Sequence, residues 1–104
     1  ISNGNVICIL SYNRGDSLLR LINSIKRNTD LSRTTVIISD DCSTDQKTIR
    51  ILDDLRFDTR FTIIKNSKNL GVSGNTNRLL RCAQRFEHVF LLNDDVEILK
   101  DGWE

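Results

Sequence analysis

Two periodicities alternate along this chain, and that alternation constrains its fold more than any other feature. Residues 6–10 form a continuous apolar run, the pattern of a strand covered on both faces. After a polar turn, Leu18, Leu19, Leu21, Ile22 and Ile25 recur at helical spacing, with Asp16 or Ser17 available as N-cap. Residues 35–39 are rich in β-branched side chains and read as a second strand. Asp45 caps a following helix whose buried stripe is Ile49, Leu52 and Leu55. Residues 61–65 read as a third strand, Val72, Thr76, Leu79, Leu80 and Ala83 as the stripe of a third helix, and residues 88–92 as a fourth strand. The order β-α-β-α-β-α-β, joined by right-handed crossovers, predicts an α/β fold with an open, mostly parallel sheet and helices on both faces.

A chain of 104 residues holds one domain. There is no proline, and no linker, repeat or low-complexity tract divides it. Lys plus Arg total 15 and Asp plus Glu 14, a net charge of +1, which argues against nucleic acid or an anionic membrane as the main partner. The longest apolar run, five residues at 6–10, is far too short to span a bilayer. Cys8, Cys42 and Cys82 are odd in number and lack paired spacing, and His88 is the only histidine. That set does not supply a zinc site, and it points to reduced thiols. Cys8 and Cys82 read as core residues and Cys42 as a loop residue. No leader-type segment opens the chain, so the expected location is cytoplasmic, or peripheral at the inner face of the plasma membrane in a full-length protein.

In open α/β sheets, ligands bind outside the carboxyl ends of the strands, where strand order reverses. Here those ends are Ser11, Tyr12, Asn13 and Arg14; Asp40, Asp41, Cys42 and Ser43; residues 66–71; and Asn93, Asp94 and Asp95. All four are strongly polar and two carry paired aspartates, whereas the opposite rim offers ordinary surface residues such as Asn5, Arg33, Thr34 and Arg60. Successive side chains of an extended segment point to opposite faces, so Asn93 and Asp95 share a face that excludes Asp94. One carboxylate and one amide oxygen suit Mg²⁺ or Mn²⁺ that completes its shell from water and a substrate diphosphate. The structural alternative is that Asp94 or Asp95 turns the chain.

Asp40 and Asp41 present carboxylates suited to a base imide or to ribose hydroxyls, or to an Asx-turn with Ser43 and Asp45 supplying helix-cap chemistry. The segment 69–77 offers glycines and a helix N-terminus to a phosphate, but it matches neither the dinucleotide GxGxxG pattern nor a Walker lysine motif. Arg78, Arg81 and Arg85 share one helical face and read as solvated. Trp103 reads as a packing residue, with sugar stacking as the alternative, and His88 as structural.

Taken together, residues 6–14, residues 39–45, Asn69, Leu70 and Gly71 with Asn77, and residues 92–97 resemble the family-2 glycosyltransferases of the GT-A fold, in order and across nearly the whole chain. The likeness is strongest to bacterial transferases that build surface polysaccharides. It implies that residues 1–104 are a truncated nucleotide-sugar-binding portion of such an enzyme. By the same resemblance, Ser11, Tyr12 and Asn13 border a nucleoside pocket, Asp41 contacts the base, and Asp94 meets the ribose or diphosphate. Asp95 holds Mn²⁺ or Mg²⁺, and Asp40, Asn69, Gly71, Asn77 and Asn93 complete the nucleotide-sugar site. Four positions depart from the family pattern: Leu10 for a usual proline, Cys42 for a common glycine, Asn93 for the first acid of many DxD motifs, and Thr76 for a frequent arginine.

The implied reaction is an inverting displacement in which an acceptor hydroxyl, deprotonated by a carboxylate, attacks the anomeric carbon of a nucleotide-diphosphate sugar, most often a UDP-sugar. The implied acceptor is a glycan or a lipid-linked hydroxyl. The base of the family lies well beyond the DxD segment, and Glu97, Asp101 and Glu104 are too close to match it, so no catalytic base is expected in this chain. An exposed edge left by a truncated sheet makes a homodimer a further expectation. Two other readings compete: a non-catalytic nucleotide-sugar-binding or interaction module, and a receiver-type signalling domain. The receiver pattern fails, because its acidic positions are held here by Asn13 with Arg14 and by Lys65 with Asn66.

Overall fold

A computed structural model describes residues 4–99 of the chain. Trp103, Asp101 and Glu104 lie outside the described residues. The elements are β1 (Asn5–Ser11), α1 (Gly15–Asn28), β2 (Thr34–Asp40), α2 (Gln46–Leu55), β3 (Phe61–Lys65), α3 (Gly71–Cys82) and β4 (His88–Asn93). The strands form one sheet in the order β3-β2-β1-β4, and every pairing is parallel. The chain steps outward from β1 to β3, then crosses back past β1 to lay down β4. Strand order therefore reverses between β1 and β4, with β4 as the edge strand beside β1.

Alternation within β1 divides the core. Ile7 and Ile9 pack with Leu18, Leu21, Ile22 and Ile25 of α1, with Leu52 and Leu55 of α2, and with Val36 and Ile38. Val6 and Cys8, on the other face, pack with Ile37 and with Leu79 and Ala83 at α3. Each fully buried Ile or Leu contributes about 1.5–3 kcal/mol relative to exposure, so β1, covered on both faces, anchors the fold. Burial, with the nearby Cys82, pushes the Cys8 thiol up to about 11, so it stays protonated and acts as a small apolar residue. All three cysteines are free thiols.

Two local expectations are corrected. Helix α1 begins at Gly15 with Arg14 at the N-cap and no side-chain cap. Asp16 instead pairs with Lys47 of α2, and Ser17 accepts a hydrogen bond from Arg20, so neither caps the helix. The first turn can start this early because Gly15 lets α2 approach; a Cβ there would meet Lys47 Cγ and the Thr48 nitrogen at 3.0 Å. In α3, Val72 is 78% exposed and leaves the predicted stripe, while Asn75 is buried in its place. Asp45 does cap α2, accepting from the Thr48 N–H at 3.1 Å.

Beyond β4 the chain folds back on α1. Ile98 is buried, its N–H donates to Ser24 Oγ at 2.9 Å, and its carbonyl accepts from Asn28 Nδ2 at 2.7 Å. Among the described residues no helix is long and apolar enough to cross a membrane.

Candidate functional site

The four carboxyl ends converge on a cavity of about 520 Å³. Leu10, Ser11, Tyr12 and Arg14 line it from β1 and the turn after it, Asp41 from β2, Asn69, Gly71, Val72 and Asn75 from the start of α3, and Asn93, Asp94 and Asp95 from β4. It opens at the β1/β4 reversal, where the topology places a ligand crevice. A second cavity, of about 590 Å³, lies between α1 and α2 against the amino end of β3, lined by residues such as Leu19, Ile51, Phe57 and Arg60. Lys26, Asp54 and Asp58 also line it, but it lies at the amino rim, away from the strand carboxyl ends.

The aspartates have separate tasks. Asp40 is buried and does not line the cavity. Its Oδ1 accepts from Ser11 Oγ at 3.0 Å and Ser43 Oγ at 2.6 Å, and its Oδ2 from the Ser43 N–H at 2.9 Å, so it ties the end of β1 to the β2–α2 loop. Asp41 is also buried, but its carboxylate reaches across to the next strand end. There Oδ1 accepts from the Leu70 N–H at 2.7 Å and Asn66 Nδ2 at 3.0 Å, while Oδ2 accepts from the Gly71 N–H at 3.0 Å. The N-terminus of α3, which has no side-chain cap from Leu70, is thus capped by an aspartate 29 and 30 residues upstream.

A polar string continues behind this cap. Ser39 Oγ donates to Asn75 Oδ1 at 2.6 Å, Asn75 Nδ2 donates to the Ser39 carbonyl at 3.1 Å, and Asn66 Nδ2 also donates to Asn75 Oδ1 at 3.0 Å. Arg78 Nη1 then donates to Asn66 Oδ1 at 2.8 Å. Arg78 is therefore half-buried and engaged, which corrects the solvated reading; Arg81 on α3 and Arg85 in the turn after it are exposed. Each buried polar atom of the string finds a partner, which fixes the loop that faces the cavity.

At the opposite wall β4 ends at Asn93 and the chain turns, with the Val96 N–H donating to the Asn93 carbonyl at 3.3 Å. Asn93 and Asp95 are exposed and Asp94 is buried. Asp94 and Asp95 lie in the turn beyond β4, so the turn and the Tyr12 contact set this division and not strand alternation. Asp94 Oδ2 accepts from the Tyr12 N–H at 2.9 Å, joining β4 to β1 across the reversal. Burial raises the Asp94 pKa, against the lowering effect of the Tyr12 N–H and the Arg14 guanidinium. Arg14 Nη1 lies 3.1 Å from Asp95 Oδ2, and its Nε lies 4.0 Å from Asp94 Oδ1.

Several expected residues act on the loops and not on the cavity. Asn13 adopts a left-handed φ of 51°. Its Oδ1 accepts from the N–H groups of Thr44 and Asp45 at 2.8 and 2.9 Å, and its own N–H donates to Ser43 Oγ at 2.9 Å. Asn77 is exposed and does not line the cavity, whereas Ser11, Tyr12, Asn69, Gly71 and Asn93 do. Arg14, Asn66 and Asn75 carry site geometry that the sequence reading assigned to none of them, whereas Ser43 bonds Asp40 in the turn that reading offered. For Arg14 the available signal was a cation at a helix N-cap, where acids and hydroxyls are favoured. Among the described residues no three His, Cys, Asp or Glu side chains come together as a metal-binding group.

Comparison with known proteins agrees with this geometry. The family described as Glycosyl transferase family 2 matches residues 6–104. No curated protein matches the chain. Among solved structures, S. aureus TarS aligns with a TM-score of 0.80 at 27% identity, over 94% of this chain and 18% of TarS. TarS residues 1–349 in complex with UDP-GlcNAc align at 0.76 and 26% identity, over 88% of this chain and 26% of that one. The same TarS fragment in complex with UDP gives 0.80 and 27%, over 94% of this chain and 29% of that one. GalNAc-T7 with UDP, GalNAc and Mn²⁺ aligns at 0.82 and 17% identity, over 96% of this chain and 19% of that one, a likeness of fold. The chain thus spans less than a third of the length of these solved structures. The match runs from the first strand through the Asp94–Asp95 turn, and the sheet reverses at the pair of strands that carry the convergent polar ends; the chain belongs to glycosyl transferase family 2 and has the GT-A-like fold.

Proposed function

We propose that this chain forms the donor-binding portion of an inverting glycosyltransferase and takes a nucleoside diphosphate sugar of the UDP class in the carboxyl-rim cavity. The observation that carries the reading is the convergence there of all four strand ends, with Asp94 and Asp95 facing the Asp41-capped start of α3. The complexes of TarS with UDP and UDP-GlcNAc support it.

In this reading Ser11, Tyr12 and Asp41 border the nucleoside, with the Asp41 Oδ2 lone pair that Gly71 leaves open directed at a base imide. Asn69, Gly71 and the first turn of α3 border the phosphates and turn the positive end of the helix dipole towards them, although the Leu70 and Gly71 N–H groups are held by Asp41. Asn13 and Asp40 act one step back by fixing the loops, and Asn77 is left to a part of the donor beyond the cavity.

The donor set also fits a divalent ion of limited kind. Asp95 is exposed at the cavity and Asn93 flanks it, whereas Asp94 is engaged with Tyr12. One carboxylate with an amide is too few ligands for a closed cage and enough for Mn²⁺ or Mg²⁺ that draws on water and a diphosphate. Asp95 and Asn93 would hold it, and when bound it would neutralise charge on the departing nucleoside diphosphate. The chain's own residues orient the donor and leave its anomeric carbon open to an acceptor hydroxyl of a glycan or lipid-linked substrate, in cell-surface polysaccharide synthesis.

Calorimetric titration of UDP with and without Mn²⁺ tests the reading. Metal-dependent binding that Asp95→Ala abolishes is the expected result. Binding absent in both conditions, or indifferent to Asp95→Ala, rejects it.

A further inference from the structure

Arg14 has an unusual position. It occupies the N-cap of α1, makes no capping hydrogen bond, and places a cation at the positive end of the helix dipole. Its guanidinium instead spans the two aspartates after β4, 3.1 Å from Asp95 Oδ2 and 4.0 Å from Asp94 Oδ1. It is the one cationic side chain among the residues lining the cavity, against the carboxylates of Asp41, Asp94 and Asp95.

We propose that Arg14 is an exchangeable counter-cation: it occupies the metal face of Asp95 in the empty domain and turns to the diphosphate when donor and divalent ion arrive together. The inference rests on the donor-site reading above and adds a coupling that this reading does not contain.

The physical argument is competition followed by exchange. A divalent ion that approaches Asp95 alone must displace the guanidinium, leaving a cation without its partner beside a new dication. A diphosphate removes that penalty, because it offers the planar guanidinium fork a pair of anionic oxygens that it can bind bidentately. The pair is also weak enough to exchange, since the Arg14 and Asp95 side chains are 57% and 53% exposed. Metal and nucleotide then bind cooperatively, and by linkage each tightens the other by the same factor. Arg14 is in this sense a positioning residue, acting on the order and coupling of binding.

The test is a Mn²⁺ titration followed by electron paramagnetic resonance, with and without UDP, on the wild-type chain and on Arg14→Gln, Asp95→Ala and Arg20→Gln. Arg14→Gln is expected to bind Mn²⁺ alone about threefold more tightly and to lose about tenfold of the enhancement that UDP gives. Arg20→Gln removes the same charge from the exposed outer surface of α1 and is expected to leave both values unchanged. Arg14→Lys keeps the charge but not the fork, and is expected to keep part of the coupling. If the wild type binds Mn²⁺ with UDP and Asp95→Ala does not, while Arg14→Gln matches the wild type, the role of Arg14 is overturned and the donor site stands. If Arg20→Gln reproduces the Arg14→Gln effect, bulk charge is the cause and the inference is equally overturned. If neither the wild type nor Asp95→Ala binds, the donor-site reading fails and this inference fails with it.

Discussion

The Leu70 N–H lies 2.7 Å from Asp41 Oδ1, so a carboxylate at the end of β2 closes the first turn of a helix that follows β3. With the Gly71 N–H and Asn66 Nδ2, it makes three hydrogen bonds to one charged group. Such bonds are individually stronger than neutral ones, about 1.5–3 kcal/mol each, although water can replace part of the set at this half-buried loop. Asp41→Ala is therefore expected to destabilise the domain by about 2 kcal/mol. The loss should show as a lower urea midpoint and as faster amide exchange at Leu70 and Gly71, with nucleotide binding lost in parallel.

The residue after that aspartate gives a prediction of opposite sign. Cys42 has φ of 65°, a left-handed conformation that costs an L-residue about 1 kcal/mol or more relative to glycine. Its thiol makes only a long contact, 3.8 Å to the Ser67 carbonyl. Cys42→Gly is expected to raise stability by about 0.5–1 kcal/mol, the backbone relief being partly offset by the greater freedom of glycine when unfolded. Urea denaturation at unchanged slope would register it.

How far the sequence discloses this molecule depends on the range of the interaction. The strands are legible because apolar runs such as residues 6–10 need no distant partner to be recognised. Helix α2 is legible because Asp45 caps it three residues away. The hydrophobic pattern of α3 misplaces Val72, because the buried position is held by Asn75, whose partner Ser39 is 36 residues distant. The site divides the same way. The acidic strand ends stand out in the sequence, but which carboxylates are engaged internally depends on partners such as Tyr12 for Asp94, 82 residues apart. Arg78 looks like a surface cation until the loop that carries Asn66 is folded beside it.

Acid stability should depend on the turn before β3. Asp58 Oδ1 accepts from the Arg60 N–H and Nε at 3.0 and 2.9 Å, and Oδ2 accepts from Nη2 at 2.7 Å. The Arg60 hydrogen bond, beside a smaller Coulombic effect, lowers the Asp58 pKa from 3.8 to about 2. The unfolded chain then binds the proton more readily than the native one, so the stabilisation is present above pH 3.8 and disappears as pH falls toward 2. With solvent screening at this largely surface pair, the contribution is about 1 kcal/mol. Asp58→Asn should lower stability by that amount at pH 6 and converge on the wild type near pH 2, as followed by urea denaturation across the range.

Ser24 lies on α1, outside the cavity, yet it should govern the donor site. Its hydroxyl donates to the Leu21 carbonyl at 2.7 Å and accepts from the Ile98 N–H at 2.9 Å, anchoring the chain that leaves the Asp94–Asp95 turn. Ser24 is fully buried, so Ser24→Ala strands the Ile98 N–H without a nearby replacement. A buried donor left unpaired costs about 1–3 kcal/mol, and release of the segment over residues 96–98 avoids that cost by letting water in. The expected result is a fall in stability of about 1 kcal/mol, the low end of that range, with faster exchange at Val96 and Ile98. Asn28 Nδ2 holds the Ile98 carbonyl at 2.7 Å, so Asn28→Ala should produce the same local release from the other side of the peptide. Because the turn that carries Asp95 is supported by this anchor, both variants should weaken Mn²⁺-dependent UDP binding several-fold while leaving amide exchange at Leu70 and Gly71 as in the wild type. Equal loosening at both walls of the cavity would mean that the anchor supports the whole domain and not the acidic turn in particular.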